Sequence, residues 1–198
     1  MTKLSLPYVE TERLILRPFV AADLDEWARC IFDDPEVMRY LPKRNISPRE
    51  HAERNFVAMN EEWGHFGYTW WAVTEKLTGR LMGHCGLSNN GVYPVEIELT
   101  YALAKADWGK WIATEAARAS VRFGFETIQL ERVFAAAIPK NIGSRRVMEH
   151  IGFVYEKDSQ YLGYDVVYYA LKRGDFRADN SFYRLQESQF ELDDRPNQ

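Results

Sequence analysis

Cysteine is nearly absent from this chain: Cys30 and Cys85 are the only two in 198 residues. Neither has a neighbour at metal-ligand spacing, so no metal site is expected. Both read as reduced, small, buried residues of a cytoplasmic protein. Long apolar runs are missing too. No stretch approaches the ~20 residues of a membrane span, and residues 1–14 contain no apolar run of signal-peptide length, so no membrane partner is expected. A basic block is also lacking, and the formal net charge is −4. Phosphate-backbone affinity requires clustered Lys and Arg, so nucleic acid is not an expected partner. There is no Gly-x-Ser-x-Gly, no Cys/His cluster and no Gly-x-Gly-x-x-Gly, which leaves hydrolase, metalloenzyme and dinucleotide readings without support. His51, His65 and His150 show no metal spacing, and His84, close to Gly83 and Gly86, reads as a strand residue. No repeat, linker or low-complexity segment interrupts the chain.

What is present has globular proportions: 46% hydrophobic and 27% charged residues, in a length suited to one domain with a sizeable core. The organising stretch is 95–127. Val95 to Leu103 alternates, with Glu96, Glu98, Thr100 and Ala102 on one face and Ile97, Leu99, Tyr101 and Leu103 on the other. After a break at Lys105 to Gly109 the period becomes helical. Ile112, Ala113, Ala116, Ala117, Ser120, Phe123 and Gly124 form a mostly small face that lets the helix lie close to a sheet. Glu115, Arg118, Arg122 and Glu126 line the wet face and are spaced to pair. A helix that opens after a strand and a glycine presents unpaired N–H groups and roughly +0.5 of partial charge. Such an end suits a phosphate or pyrophosphate. On this physics alone a plain strand–helix turn is the commoner reading, since a lone glycine before a helix is frequent.

The remaining pattern predicts a strand over Arg13–Phe19, closed by Pro18, then an amphipathic helix over Asp23–Phe32 carrying Leu24, Trp27, Ala28 and Ile31. Asp34-Pro35 starts a short helical turn. Ser47-Pro48-Arg49-Glu50 is a capping box, opening a helix whose stripe is Ala52, Phe56, Met59 and Trp63 and whose stop is Gly64 or Gly67. Strands follow at Tyr68–Glu75 and Arg80–Leu87. A continuous apolar run predicts another at Glu131–Ile138. Asn141 caps a short helix with Val147, Met148 and Ile151 inside, and Gly152 ends it. Phe153–Tyr161 and Tyr164–Leu171 form a hairpin through Leu162-Gly163. The order β, helices, β-β-β-α-β-α-β-β indicates a mixed α/β sheet with helices on both faces.

Several phrases carry a family resemblance. Glu98-Leu99-Thr100-Tyr101, then Trp108-Gly109-Lys110-Trp111-Ile112-Ala113-Thr114-Glu115-Ala116, resembles the coenzyme A loop of the GNAT acetyltransferases. Within them the branch of ribosomal-protein N-terminal (alanine) acetyltransferases, with its Trp-Gly-x-Gly-Tyr-Ala-Thr-Glu-Ala run, is most similar. Asn141-Ile142-Gly143-Ser144 through Ile151-Gly152-Phe153 and the opening Thr11-Glu12-Arg13-Leu14-Ile15-Leu16-Arg17-Pro18 resemble two further family blocks. The resemblance spans about residues 10–173. It implies a single α/β domain over 1–173, built on a mostly antiparallel splayed mixed sheet of about seven strands. Acetyl-CoA would enter the gap between the strands at 95–103 and 132–138. Residues 174–198 remain as a C-terminal extension whose Phe176, Phe182, Tyr183, Leu185 and Phe190 are too apolar for a solvated tail. They pack either on the domain or on a second subunit, which makes a homodimer one expectation.

The resemblance implies N-acetyl transfer from acetyl-CoA, as co-substrate, to an amine acceptor, either a small molecule or a protein N-terminus. It assigns Glu98 as base and Ser144 as the group near the thiol. Leu99, Thr100, Tyr101, Gly109, Lys110, Trp111, Ile112, Ala113, Thr114, Asn141 and Ser144 would hold the coenzyme. Glu96, on the same strand face, is the alternative base, and like charges in one cleft would raise one pKa. Both carboxylates also read as ordinary solvent-facing charges. Trp63, Tyr68, Trp70 and Trp71 cluster where the family builds part of its acceptor groove, and core packing accounts for most of them.

The chain departs from the family pattern at three positions. Met148 stands where many members carry a Tyr, and a thioether donates no proton. Ala106 stands where the loop often opens with Arg or Gln. Trp111 replaces a Gly or Ala whose missing bulk lets backbone approach phosphate. Lys105 and Lys110 are near enough in sequence to offset that loss. Trp111 and Ala106 keep a second reading open, a non-catalytic module that retains the fold for binding or interaction.

Overall fold

The computed structural model describes residues 3–89 and 96–191 of the chain. Of the strand predicted over Val95 to Leu103, Val95 lies outside these residues, and Glu96 and Ile97 precede the strand, which starts at Glu98. Among these residues nine strands, numbered β1 to β9 in chain order, form one sheet in the order β7-β8-β6-β5-β4-β3-β2-β1-β9. The seven expected strands are β2 (Leu14–Arg17), β3 (Trp70–Glu75), β4 (Leu81–Ser88), β5 (Glu98–Leu103), β6 (Arg132–Ala137), β7 (Val154–Tyr161) and β8 (Tyr164–Lys172). Two more flank them in sequence: β1 (Lys3–Thr11) and β9 (Tyr183–Glu191), paired antiparallel over nine residues each. Pro7 hides β1 from a sequence reading, because proline donates no ladder bond. Proline is tolerated there because β2 pairs only with Val9 and Glu10, leaving Pro7 to face β9 alone.

Local chemistry explains the helices. Asp34 caps α2 (Pro35–Met38) by accepting from the Glu36 N–H at 2.8 Å. Ser47 accepts from the Glu50 N–H and opens α3 (Pro48–Phe66), and Gly67 closes it in the left-handed conformation. The predicted helix at Asp23–Phe32 is α1 (Leu24–Trp27) running into a π-helical turn, Ala28–Phe32. α4 (Ile112–Glu126) buries Ala116, Ala117 and Ser120 completely. A Cβ on its Gly124 would lie 2.6 Å from Leu87, which shows how closely the axis approaches the sheet. α5 (Ile142–Ile151) is capped by the Asn141 side chain.

The helices divide between the faces. α4 and α5 pack with Leu87, Leu99, Leu103 and Val133 on one side. α1, its π turn and part of α3 pack with Phe19, Ala72, Leu81 and Ala102 on the other. Every strand pairing is antiparallel except β5–β6. Those two parallel strands meet at one register pair, Glu98↔Phe134, and then diverge. The sheet is therefore open at its centre, where the sequence places its candidate residues.

Candidate functional site

Two cavities adjoin at the divergence of β5 and β6. The larger, about 530 Å³, runs along the start of α4 and is lined by Gly109, Trp111, Ile112, Ala113 and Thr114. The smaller, about 360 Å³, is lined by Glu98, Leu99, Thr100, Trp70, His84 and Tyr161, among others. Tyr40, Leu41, Tyr101, Asn141 and Ser144 line both. A reacting atom at that shared boundary would be reached from either side.

The loop between β5 and α4 is held from behind. Asp107 is buried and receives two hydrogen bonds from the Arg80 guanidinium, each 2.9 Å. Trp108 Nε1 donates to the Leu103 carbonyl at 2.8 Å. Arg13 donates to the Lys110 carbonyl at 3.0 Å and to Glu115 at 2.7 Å, tying the loop to the first turn of α4. Gly109 has φ +73° and Trp111 φ +65°, so both take the left-handed conformation that a side chain disfavours. The Trp111 indole is 59% exposed and meets the His150 ring edge-on at 4.7 Å. No side chain caps the start of α4, so the first-turn N–H groups of Ile112, Ala113 and Thr114 remain as donors beside the cleft.

Lys110 lies 3.6 Å from Asp107, and neither Lys110 nor Lys105 lines either cavity. Among the described residues, the arginine that lines the larger cleft is Arg146. Sequence pattern gave no signal for it, because on α5 it reads as one more exposed basic residue.

On the side of the smaller cavity, Glu98 is only 8% exposed and accepts from the Tyr161 hydroxyl at 2.8 Å. Glu96 is placed differently: it takes bonds from Tyr168 at 2.8 Å and Arg132 at 3.2 Å and lines neither cavity. The two carboxylates therefore do not share a cleft. Tyr101 Oη lies 2.9 Å from both the Ser144 carbonyl and the Ser144 hydroxyl. Burial pushes the Tyr101 phenol well above its ordinary range. Asn141 spends its side-chain oxygen on the Ser144 N–H at 3.1 Å, which leaves its amide N–H₂ as a donor at the boundary. Met148 is fully buried beneath and brings no hydroxyl.

The aromatic cluster splits. Trp63, Tyr68 and Trp71 are core, whereas Trp70 lines the smaller cavity. His84 stacks on it, with centroids 4.7 Å apart and planes at 16°. His84 Nδ1 accepts from Trp27 Nε1 at 3.1 Å, and burial lowers its pKa to about 3. It is a neutral hydrogen-bonding group at physiological pH, not a base. Tyr161, missed in the sequence, comes from the far end of the hairpin, and only the tertiary pairing brings it to Glu98.

A family model described as an acetyltransferase (GNAT) domain matches residues 13–154. The uncharacterized protein YkkB of Bacillus subtilis is 32% identical over 74% of this chain and 85% of its own. The putative ribosomal N-acetyltransferase YdaF of the same organism is 35% identical over 51% of this chain and 58% of its own. Among solved structures, an acetyltransferase from Agrobacterium tumefaciens superimposes with a TM-score of 0.74 at 25% identity, covering 86% of this chain and 97% of that one.

Proposed function

The chain belongs to the GNAT acetyltransferase family, and from that premise we propose that it moves an acetyl group from acetyl-CoA to a primary amine by direct attack in a ternary complex. The observation that carries the reading is the meeting of two cavities at the β5–β6 divergence, with a buried carboxylate on one side and helix N–H donors on the other. The larger cleft fits an extended thioester whose diphosphate lies at the start of α4, with Arg146 as a cation and Asn141 as a donor to the pantetheine arm.

Amine protonation is the first obstacle. An alkyl amine of pKa near 10.4 is neutral roughly once in a few thousand molecules at pH 7, a barrier cost of about 4.6 kcal/mol. An α-amine, at about 7.7–8.0, meets a much smaller one. Glu98 takes the proton, directly or through a water. The amine nitrogen then bonds to the acetyl carbon, the C–S bond breaks, and the sulfur leaves as thiolate. The developing oxyanion needs a donor. The Phe134 N–H donates to the Ile97 carbonyl at 3.0 Å, so by alternation the main-chain groups of Leu99 and Tyr101 also point toward β6. Pairing ends at Glu98↔Phe134, and the Tyr101 N–H is left facing the gap. Ser144, bonded to Tyr101, donates to the departing sulfur.

The test combines binding and turnover. Acetyl-CoA at 100 times its dissociation constant stabilises the protein by about 2.7 kcal/mol in thermal melts. Glu98→Gln lowers turnover by about 10²–10⁴ while coenzyme affinity stays near wild type, and Ser144→Ala costs less, because the coenzyme thiol is already a good leaving group. Unaltered rates in Glu98→Gln across the pH range would remove it as the base. A second reading has one observation in its favour, the tryptophan at a left-handed loop position. On that reading the protein is a binding module, and acetyl-CoA gives no melting shift.

A further inference from the structure

The charged lining of the smaller cavity is mainly cationic among the described residues. Glu98 is the one carboxylate among its described lining residues, and Tyr161 already engages it. Arg39 and Arg44 also line it. Arg39 is paired with Glu36 at 3.0 Å, whereas Arg44 makes no ion pair among the described residues. Among the described residues, Trp70 Nε1 is buried without a hydrogen-bond partner, a rare state for an N–H in a folded protein. Its ring stacks on His84. Since His84 Nδ1 accepts from Trp27, the neutral ring carries its proton on Nε2, a second donor beside the first. A ligand that satisfies this wall must bring acceptor atoms and negative charge. A polyamine brings only donors and positive charge, which Arg44 repels.

We propose that the acceptor is a small primary amine that also carries an anionic oxygen group, an α-amino acid being the simplest. The N–H groups of Trp70 and His84 hold the anion in the field of Arg39 and Arg44, and the amine is delivered to Glu98. The inference rests on the acetyl-transfer reading and inherits its chemistry: the N–C bond forms, the C–S bond breaks, and the proton passes to Glu98. Size is limited by the wall itself. The Lys43 N–H donates to the Tyr164 hydroxyl at 3.2 Å, joining the 40–44 segment and the β7–β8 hairpin, both of which line the cavity. A free amino acid is favoured over a protein N-terminus for that reason.

The experiment measures thiol release with acetyl-CoA on matched trios: alanine, alaninamide and ethylamine, then phenylalanine, phenylalaninamide and phenethylamine. In at least one trio the amino acid is expected to exceed both neutral-ended partners about tenfold or more in kcat/KM, since buried donors reject an analogue that leaves them unpaired. β-Alanine against O-phosphoethanolamine separates carboxylate from phosphate as the anion. Trp70→Phe and Arg44→Gln are expected to raise KM for the amino acid and not for the matched alkylamine. Equal or better use of the amide, of 1,4-diaminobutane or of a neutral-ended alanine peptide would overturn the proposal. Melting shifts with N-acetylalanine and N-acetylphenylalanine test the subsite without turnover. A shift present in the wild type and lost in both variants upholds it; no shift in the wild type overturns it. Absence of thiol release with every amine would instead count against acetyl transfer, and the melts would still decide the anion subsite.

Discussion

Trp111 illustrates how one side chain can act on two quantities separately. Its backbone at φ +65° costs roughly 1–2 kcal/mol for a residue with a Cβ. That strain is present with or without ligand, so it bears on stability and not on affinity. The exposed indole at the mouth of the larger cleft bears on affinity. Trp111→Gly is expected to keep or raise the melting temperature despite the lost His150 contact, and to tighten acetyl-CoA binding measured by calorimetry. A weaker complex would show that the indole itself contacts the ligand. His84 offers a second residue-scale test. Burial holds its pKa at about 3, against an ordinary 6.5, and burial shifts His51 in the same direction. The unfolded chain therefore binds more protons than the native one between those values. Stability is full above about pH 6.5 and falls as the solution is acidified, by about 1.4 kcal/mol per pH unit from His84 alone. Urea unfolding of the wild type at pH 8, 6 and 5 should show this slope, and His84→Gln should flatten it. Parallel slopes in the two proteins would place the acid sensitivity elsewhere.

Among elements, the β5–α4 loop depends most on distant support, and this support shows what the sequence could and could not reveal. Its glycine, the small face of α4 and the Asn141 cap are local signals, readable because turn, period and cap chemistry operate within a few residues. The same holds for Ser47, Gly67 and Gly152. The Arg80–Asp107 clamp joins residues 27 apart, and Tyr161 reaches Glu98 across 63. Neither has a local signature, so Asp107 reads as an ordinary loop carboxylate until the fold buries it. Glu96 and Glu98 look alike by alternation, and they are separated only by which of them finds Arg132 and Tyr168. The clamp makes a specific prediction. Arg80→Ala leaves the Asp107 carboxylate buried without its donors, at a cost of about 1–3 kcal/mol in unfolding free energy. Because Asp107 anchors the loop whose amides face the larger cleft, acetyl-CoA affinity should fall as well. Loss of stability with unchanged affinity would mean that Arg13 and Trp108 hold the loop unaided.

For the whole molecule, the long-range consequence is the pairing of the two ends of the described chain. β1 meets β2 at only two residues but β9 along its whole length, so β1 owes its place in the sheet to residues 183–191. Those residues show no sustained period in the sequence; they become a strand because a partner about 180 positions away is free to pair. Their approach also packs Phe176 on Phe125, with centroids 5.4 Å apart, and sets Arg122 4.4 Å from the Tyr183 ring centre, which fastens Phe176 and Tyr183 to α4. A chain stopped before Tyr183 should release β1 and expose Leu6 and Val9, both now buried. At about 1.5–3 kcal/mol for each aliphatic side chain, the loss is roughly 3–6 kcal/mol. Freed of its partner, β1 would also offer an unpaired edge that invites association. Urea unfolding, with hydrogen exchange read over residues 3–11, measures both effects. Because Arg13 lies two residues past β1 and holds the Lys110 carbonyl and Glu115, the truncation should also loosen the β5–α4 loop. Protected amides in β1 and an unshifted unfolding curve would show that the first strand stands without the last.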